Sequence, residues 1–354
     1  KMAGVLYDTC LHNIKVHRAL GILEYGREEL IARIISFLAA FPDTNMTIEE
    51  TVNHAGNGAS KASLRWTIEA HHTGAGRYGE PTGKPISVSG ITICSVRDGR
   101  ITEMWEEWDE RTLLRQLEID EQQFILSMIP DDELSGTTAP PPQPHGEVER
   151  TFGQAPPPVE AAAAMGLTGG SATTGEAADK PGPVTELVSR CFQKIINRRL
   201  IGKVDTFYDK NAVVTSASGR ILEGREQIKT DLLSRLAPFP DAGIFLDDII
   251  YQSKGSGLSS AAVRWTITGT HRKEGIYGLP TTQYITCTGI SHFSIKKNMI
   301  EAEWTEFGEF DLVGLLETRR YLDARKRAVE AAREEEVERL EPIEPKQEVS
   351  GKPT

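Results

Sequence analysis

Two long stretches of this chain repeat one another. Gly26-Arg27-Glu28 recurs as Gly224-Arg225-Glu226, and Phe41-Pro42-Asp43 recurs as Phe239-Pro240-Asp241, a shift of 198 positions. Arg65-Trp66-Thr67-Ile68 recurs as Arg264-Trp265-Thr266-Ile267, a shift of 199, and the shift holds through Tyr78-Gly79, Pro81-Thr82, Gly90-Ile91, Trp105 and Glu107. A constant shift over so many motifs means one structural unit present twice, which constrains the fold more than any local propensity does.

Between the repeats the composition changes. Ten of the nineteen prolines fall from Pro130 to Pro183, among runs such as Pro140-Pro141-Pro142. Large apolar residues are too few there to offset ordering entropy, so a disordered linker is expected. The expected organisation is copy one over 1–126, linker over 127–182, copy two over 183–317 and a charged helical tail over 318–354. The tail, with Arg325-Lys326-Arg327 and then Glu334-Glu335-Glu336, reads as a solvated helix and a candidate protein-binding element.

A formal charge of −11 argues against a nucleic-acid partner, which would require clustered excess Lys and Arg. No stretch is apolar enough to span a bilayer as a helix. The four cysteines, Cys10, Cys94, Cys191 and Cys287, form no CxxC pair and do not match between copies. A reducing, cytoplasmic setting is the default expectation.

Within copy two, Leu187, Val188, Cys191, Ile195 and Ile196 mark one face of a helix, and Ala212 to Ser216 a short strand. A second helix runs from Gly224 until Pro238 stops it. Four strand-rich segments follow, near 244–252, 260–271, 283–295 and 299–308. Helices followed by a run of strands imply α+β, with helices on one face of an antiparallel sheet. Copy one follows the same plan but has six residues before Tyr7, against about twenty ahead of Tyr208. Its first helix is therefore expected upstream or from another segment.

The last strand of copy one should place Glu103, Trp105, Glu107 and Asp109 on one face, because strand side chains alternate. If that face lines a cavity, desolvation and mutual repulsion raise at least one carboxyl pKa toward neutrality, as proton shuttling requires. The opposite face would carry Thr102, Met104, Glu106 and Trp108, matched in copy two by Glu301, Glu303, Thr305 and Phe307.

The run from Gly79-Glu80-Pro81-Thr82-Gly83-Lys84 through Gly90-Ile91, Asp98-Gly99-Arg100-Ile101 and Trp105 to Asp109, with Leu113-Leu114-Arg115-Gln116-Leu117 beyond, resembles the SnoaL-like polyketide cyclases of the nuclear transport factor 2-like superfamily. The resemblance implies tandem cone-shaped domains, each a curved antiparallel sheet with helices on its concave face. It implies a cofactor-free cyclase or isomerase that performs an aldol-type closure on a polyketide-like carbonyl compound, without metal. It further implies that Asp109 is the acid/base, assisted by His72 and His17, in a pocket with Trp66, Tyr78, Glu103, Trp105 and Glu107.

Copy two keeps His271, Trp304 and Glu306 but has Thr215 and Gly308 where copy one has His17 and Asp109. This reads as a catalytic copy one and a degenerate second pocket. The resemblance also suggests a pseudo-symmetric pair of domains within the chain, or a homo-oligomer, meeting through the faces that carry Trp108 and Phe307. The alternative function is a non-catalytic small-molecule-binding, dimerisation or scaffold protein.

Overall fold

A computed structural model describes residues 2–55, 60–130 and 182–340. Copy one contains α1 (Met2–Thr9), β1 (Cys10–His17), β2 (Leu23–Tyr25), α2 (Arg27–Ala40), β3 (Asn45–Ala55), β4 (Ser60–His71), β5 (Pro85–Arg97), β6 (Arg100–Trp108), α3 (Glu110–Leu117) and α4 (Glu121–Ser127). Copy two contains α5 (Pro183–Phe192), α6 (Val204–Phe207), β7 (Tyr208–Ser216), β8 (Arg220–Glu223), α7 (Gly224–Leu236), β9 (Gly243–Gly255), β10 (Leu258–Thr270), β11 (Tyr284–Lys296), β12 (Met299–Phe307) and α8 (Glu309–Leu340). Most of the proline-rich segment lies outside the described residues.

Each copy builds an open six-stranded sheet, in the orders β2-β1-β6-β5-β4-β3 and β8-β7-β12-β11-β10-β9. The sheets are antiparallel except at one junction: β1 runs parallel to β6, and β7 to β12. The helix-containing connection after the short β1–β2 and β7–β8 hairpins reverses the chain before the four-stranded meander returns to the first strand. Even the irregularities repeat, since β3 and β9 each skip a residue, between Ile48 and Glu50 and between Leu246 and Asp248. The strand register pairs Cys10 with Ile101 and Tyr208 with Ile300, so the counterpart of Tyr208 is Cys10 rather than Tyr7.

The concave side of copy two is closed by α5, the π-helical turn Gln193–Asn197 and α7. Leu187, Val188, Cys191 and Ile195 project into its core as their spacing requires. In copy one, α1 is the described element ahead of β1, and Met46 and Ile48 on β3 remain exposed where their counterparts Ile244 and Leu246 are buried and half-buried. α8 begins as a bridge between the copies: Phe310 enters the core of copy one, while Leu312 and Leu316 enter that of copy two. Farther along, α8 presents an exposed Val329, as a solvated tail would, and the 317/318 boundary falls inside this one helix.

The copies meet through their convex faces in a crossed arrangement. The Arg65 guanidinium sits 4.2 Å from the Trp304 ring, and its counterpart Arg264 sits 4.6 Å from Trp105. Ser89 donates to Glu306 at 2.5 Å, and its counterpart Thr288 donates to Glu107 at 2.5 Å. Lys61 pairs with Asp248, and Lys254 with Glu50, toward the edge where Val52, Ile250 and Ala262 pack. Ile91, Ile93 and Ile290 fill the centre beside Trp105. The expected contact faces are therefore corrected. Met104 and Trp108 turn into copy one, and Glu303, Thr305 and Phe307 into the interior of copy two.

Burial pushes the carboxyls of both Glu107 and Glu306 well above the ordinary range, and neighbouring acids add to it: Asp311 and Glu106 for Glu107, Asp109, Glu107 and Glu309 for Glu306. The Thr288 hydrogen bond, and to a lesser extent Arg18, partly offset the effect at Glu107. A carboxyl raised in the folded state contributes stability that is full below its unfolded pKa, about 4.3, and is lost as pH rises through the folded value. Domain pairing should therefore weaken toward alkaline pH, by about 1.4 kcal/mol for each unit of elevation. Denaturant unfolding across pH should show that slope, and Glu306→Gln should flatten it.

Candidate functional site

The sequence places Asp109 on the last strand of copy one, but β6 ends at Trp108. Asp109 is the N-cap of α3: its Oδ1 accepts from the Thr112 amide at 3.0 Å and its Oδ2 from the Thr112 hydroxyl at 2.5 Å. An Asp-x-x-Thr start satisfies a helix N–H that would otherwise lack a partner, and both carboxylate oxygens are engaged by Thr112. Its counterpart, Gly308, has a packing reason of its own. A Cβ there would lie 2.4 Å from the Ala19 Cβ of the opposite copy.

His72 is fully buried against Phe41, with Nδ1 accepting from the Thr82 amide at 3.3 Å and lying 3.2 Å from the Thr82 hydroxyl. His271 repeats this against Phe239 and Thr281. Desolvation lowers both pKa values, so these are neutral rings that pin the turns after β4 and β10. His17 does meet two of its expected partners. Its Nε2 lies 2.7 Å from Glu103 and its ring stacks on Trp105 at 5.1 Å, which holds the Glu103 carboxyl below its ordinary pKa. That group sits on the convex side, as do Glu107, Trp304 and Glu306, away from either cone interior. Trp66 and Tyr78 belong to the core of copy one, Trp66 donating to Thr92 at 2.9 Å and Tyr78 to Glu110 at 3.0 Å.

A partly enclosed apolar pocket lies in copy two. A cavity of about 110 Å³ is walled mainly by apolar side chains, including Phe192, Ile195, Trp265, Ile285 and Phe307. Into it project Tyr208, Glu303, Thr305, Ser291 and Arg235. Tyr208 donates to one Glu303 oxygen at 2.5 Å, and Thr305 donates to the other at 2.6 Å. Because the single hydroxyl hydrogen of Thr305 goes to Glu303, Ser291, 2.7 Å away, must donate to Thr305, and Ser291 in turn accepts from the Trp265 indole at 3.0 Å. Donors thus run from Trp265 through Ser291 and Thr305 and converge on one carboxylate. Burial raises the Glu303 pKa, and the two hydrogen bonds, with Arg235 nearby, counter only part of that rise. The result is a carboxyl that both gives and takes a proton nearer neutrality than a solvated Glu does.

Copy one lacks this arrangement at the matching positions. Met104 stands in place of Glu303 and Glu106 in place of Thr305, with Glu106 paired to Arg33 at 2.7 Å. Phe37 replaces Arg235 and packs edge-on against Trp108. Reasoning from sequence set Glu303 on the outer face of the sheet because it assigned the wrong parity to the strand, whose Glu303 side lines the pocket. A comparison of the two copies offered the signal: at this site a Met and a Phe in one are an acid and a base in the other.

Two open six-stranded sheets, each with helices on its concave side, define a tandem α+β protein of the nuclear transport factor 2-like class. The chain belongs to the SnoaL-like polyketide cyclase family, whose model matches residues 6–117 and 186–317. Among solved structures it is similar to IdmH of Streptomyces antibioticus, described as a proposed polyketide cyclase, at 25% identity over 33% of this chain and 86% of that one, with a TM-score of 0.29. A proposed polyketide cyclase from Bacillus cereus ATCC 10987 shares 26% identity over 33% and 71% of the two chains, with a TM-score of 0.28. A proposed SnoaL-like polyketide cyclase from Jannaschia sp. CCS1 shares 16% identity over 32% and 77%, with a TM-score of 0.30. No curated protein matches the chain.

Proposed function

We propose that the chain is a cofactor-free acid/base catalyst of carbon–carbon ring closure, and that the reaction takes place in the copy-two cavity with Glu303 as the proton carrier. The observation that carries this reading is the convergence of Tyr208 and the Ser291–Thr305 relay on a buried carboxyl in an otherwise apolar chamber. Family membership supports an aldol-type step on a carbonyl compound. Glu303 takes the proton next to the carbonyl, and the enclosing walls hold the chain in a conformer that brings the new nucleophile to a second carbonyl.

The competing arrangement places catalysis in copy one, with Asp109, His72 and His17. One assay separates the two. Small linear diketones are incubated with the protein in deuterated water, and mass spectrometry follows hydrogen exchange beside the carbonyl and ring closure. Asp109→Asn should exchange at the wild-type rate, because Asn also caps helices well. Loss of exchange in a folded Asp109→Asn protein would move the site to copy one. Retention of a ketone without exchange would make the cone a binding module instead.

A further inference from the structure

Arg235 stands out among the cavity groups. It projects from α7, carries Phe307 5.7 Å from its guanidinium, and keeps 20% of its side-chain surface accessible. A guanidinium has five N–H donors. Among the described residues its one carboxylate partner is Asp231, 2.5 Å from Nη2, and its Nε is buried with no acceptor. Burying so many donors with so few acceptors is costly unless something supplies an oxygen. Asp231 is also shared with Arg220, at 3.6 Å, which leaves Arg235 less fully neutralised than a private pair would be. The copy-one counterpart of Arg235 is Phe37, so folding this unit does not itself require a cation at the position.

We infer that Arg235 is the oxyanion-holding group of the copy-two chamber, and that the chamber takes a one-ring-sized, largely hydrocarbon compound with an enolisable carbonyl. This rests on the assignment of Glu303 as the proton carrier. The size follows from the cavity: about 110 Å³ compares with the roughly 150 Å³ of an apolar cavity that holds benzene. The chemistry balances within these two residues. The Glu303 carboxylate takes the proton, the C–H pair becomes the carbon–carbon double bond of an enolate, and the carbonyl π pair moves to the oxygen facing Arg235. The enolate carbon then attacks a second carbonyl of the same molecule. The alkoxide so formed recovers the proton from Glu303. Negative charge thus develops on oxygen only while Glu303 is neutral, which is when Arg235 can hold it without a competing anion in the chamber.

The test uses cyclopentane-1,3-dione, which is an enolate at neutral pH, and cyclopentanone, its neutral analogue of similar size. Dissociation constants are measured by ligand-observed NMR in mildly acidic solution, where the dione is still ionised while Glu303, its pKa raised by burial, is more fully protonated than at neutral pH. The wild type should bind the enolate about tenfold more tightly than the ketone, as a charged hydrogen bond implies. Because Arg235→Leu alone strands Asp231, the decisive variant is Asp231→Asn/Arg235→Leu, with a cooperative unfolding transition confirmed first. It should bind the ketone as the wild type does and lose the preference for the enolate, whereas Arg235→Lys should keep part of it. A double variant that retains the full preference overturns the role of Arg235 and leaves the chamber assignment standing. A wild type that binds neither compound overturns the chamber assignment, and this inference with it.

Discussion

Replacing Glu303 by Gln should reduce exchange and ring closure by roughly 10²–10⁴-fold, the usual contribution of a positioned acid/base group, while leaving the protein folded. Gln keeps the shape and accepts one hydrogen bond from Tyr208 or Thr305, so the relay from Trp265 through Ser291 is preserved at little structural cost. What it cannot do is take a proton. The wild-type rate should rise with pH as Glu303 ionises, with a midpoint above that of a solvated Glu, because burial disfavours its charged form. The residual rate of Glu303→Gln should lack that limb. Rate profiles of the two proteins between mildly acidic and neutral pH check both statements. An unchanged rate in Glu303→Gln would remove the carboxyl from the mechanism.

The second large effect concerns stability. Gly289 lies directly across the β10–β11 ladder from Trp265, and a Cβ on it would stand 2.2 Å from the indole Cζ2 and 2.4 Å from Cη2. The ring cannot easily withdraw, because it is buried and its N–H is held by Ser291. Gly289→Ala should therefore cost about 3 kcal/mol or more, at the upper end for overpacking a filled interior, as read from denaturant midpoints. It should also disturb the chamber, since Trp265 is part of its wall. Copy one supplies a matched control. Gly90 faces Trp66 in the same way, with a Cβ 2.1 Å from the ring, so Gly90→Ala should cost a similar amount yet leave chemistry in copy two intact.

The repeat itself was plain in the sequence, and with it the element order, since apolar spacing and Gly or Pro punctuation recur at one shift. The four-stranded run and the helix from Gly224 to Leu236 follow their expected limits closely. The site was less legible, and the reason is specific. Alternation along β6 and β12 separates two faces but does not say which is concave, and each face carries an aromatic residue and a carboxylate. Trp105 with Glu107 and Trp108 with Glu106 are equal candidates until neighbouring strands fix the parity. Asp109 was placed on the strand because the alternating pattern was extended one residue past the strand's end, into a helix cap that the spacing to Thr112 already marked. The sequence likewise gives no hint that Ala19 packs against Gly308 and leaves no room for a side chain there. The partners of Glu303 come from β7 and β12, and no local pattern links it to Tyr208, 95 residues earlier.

The most direct measurement is a crystal structure of the protein grown with cyclopentane-1,3-dione. The account predicts the enolate inside copy two, with one oxygen on Arg235 and the acidic carbon turned toward Glu303. The same compound seated in copy one, or beside Asp109, would contradict it.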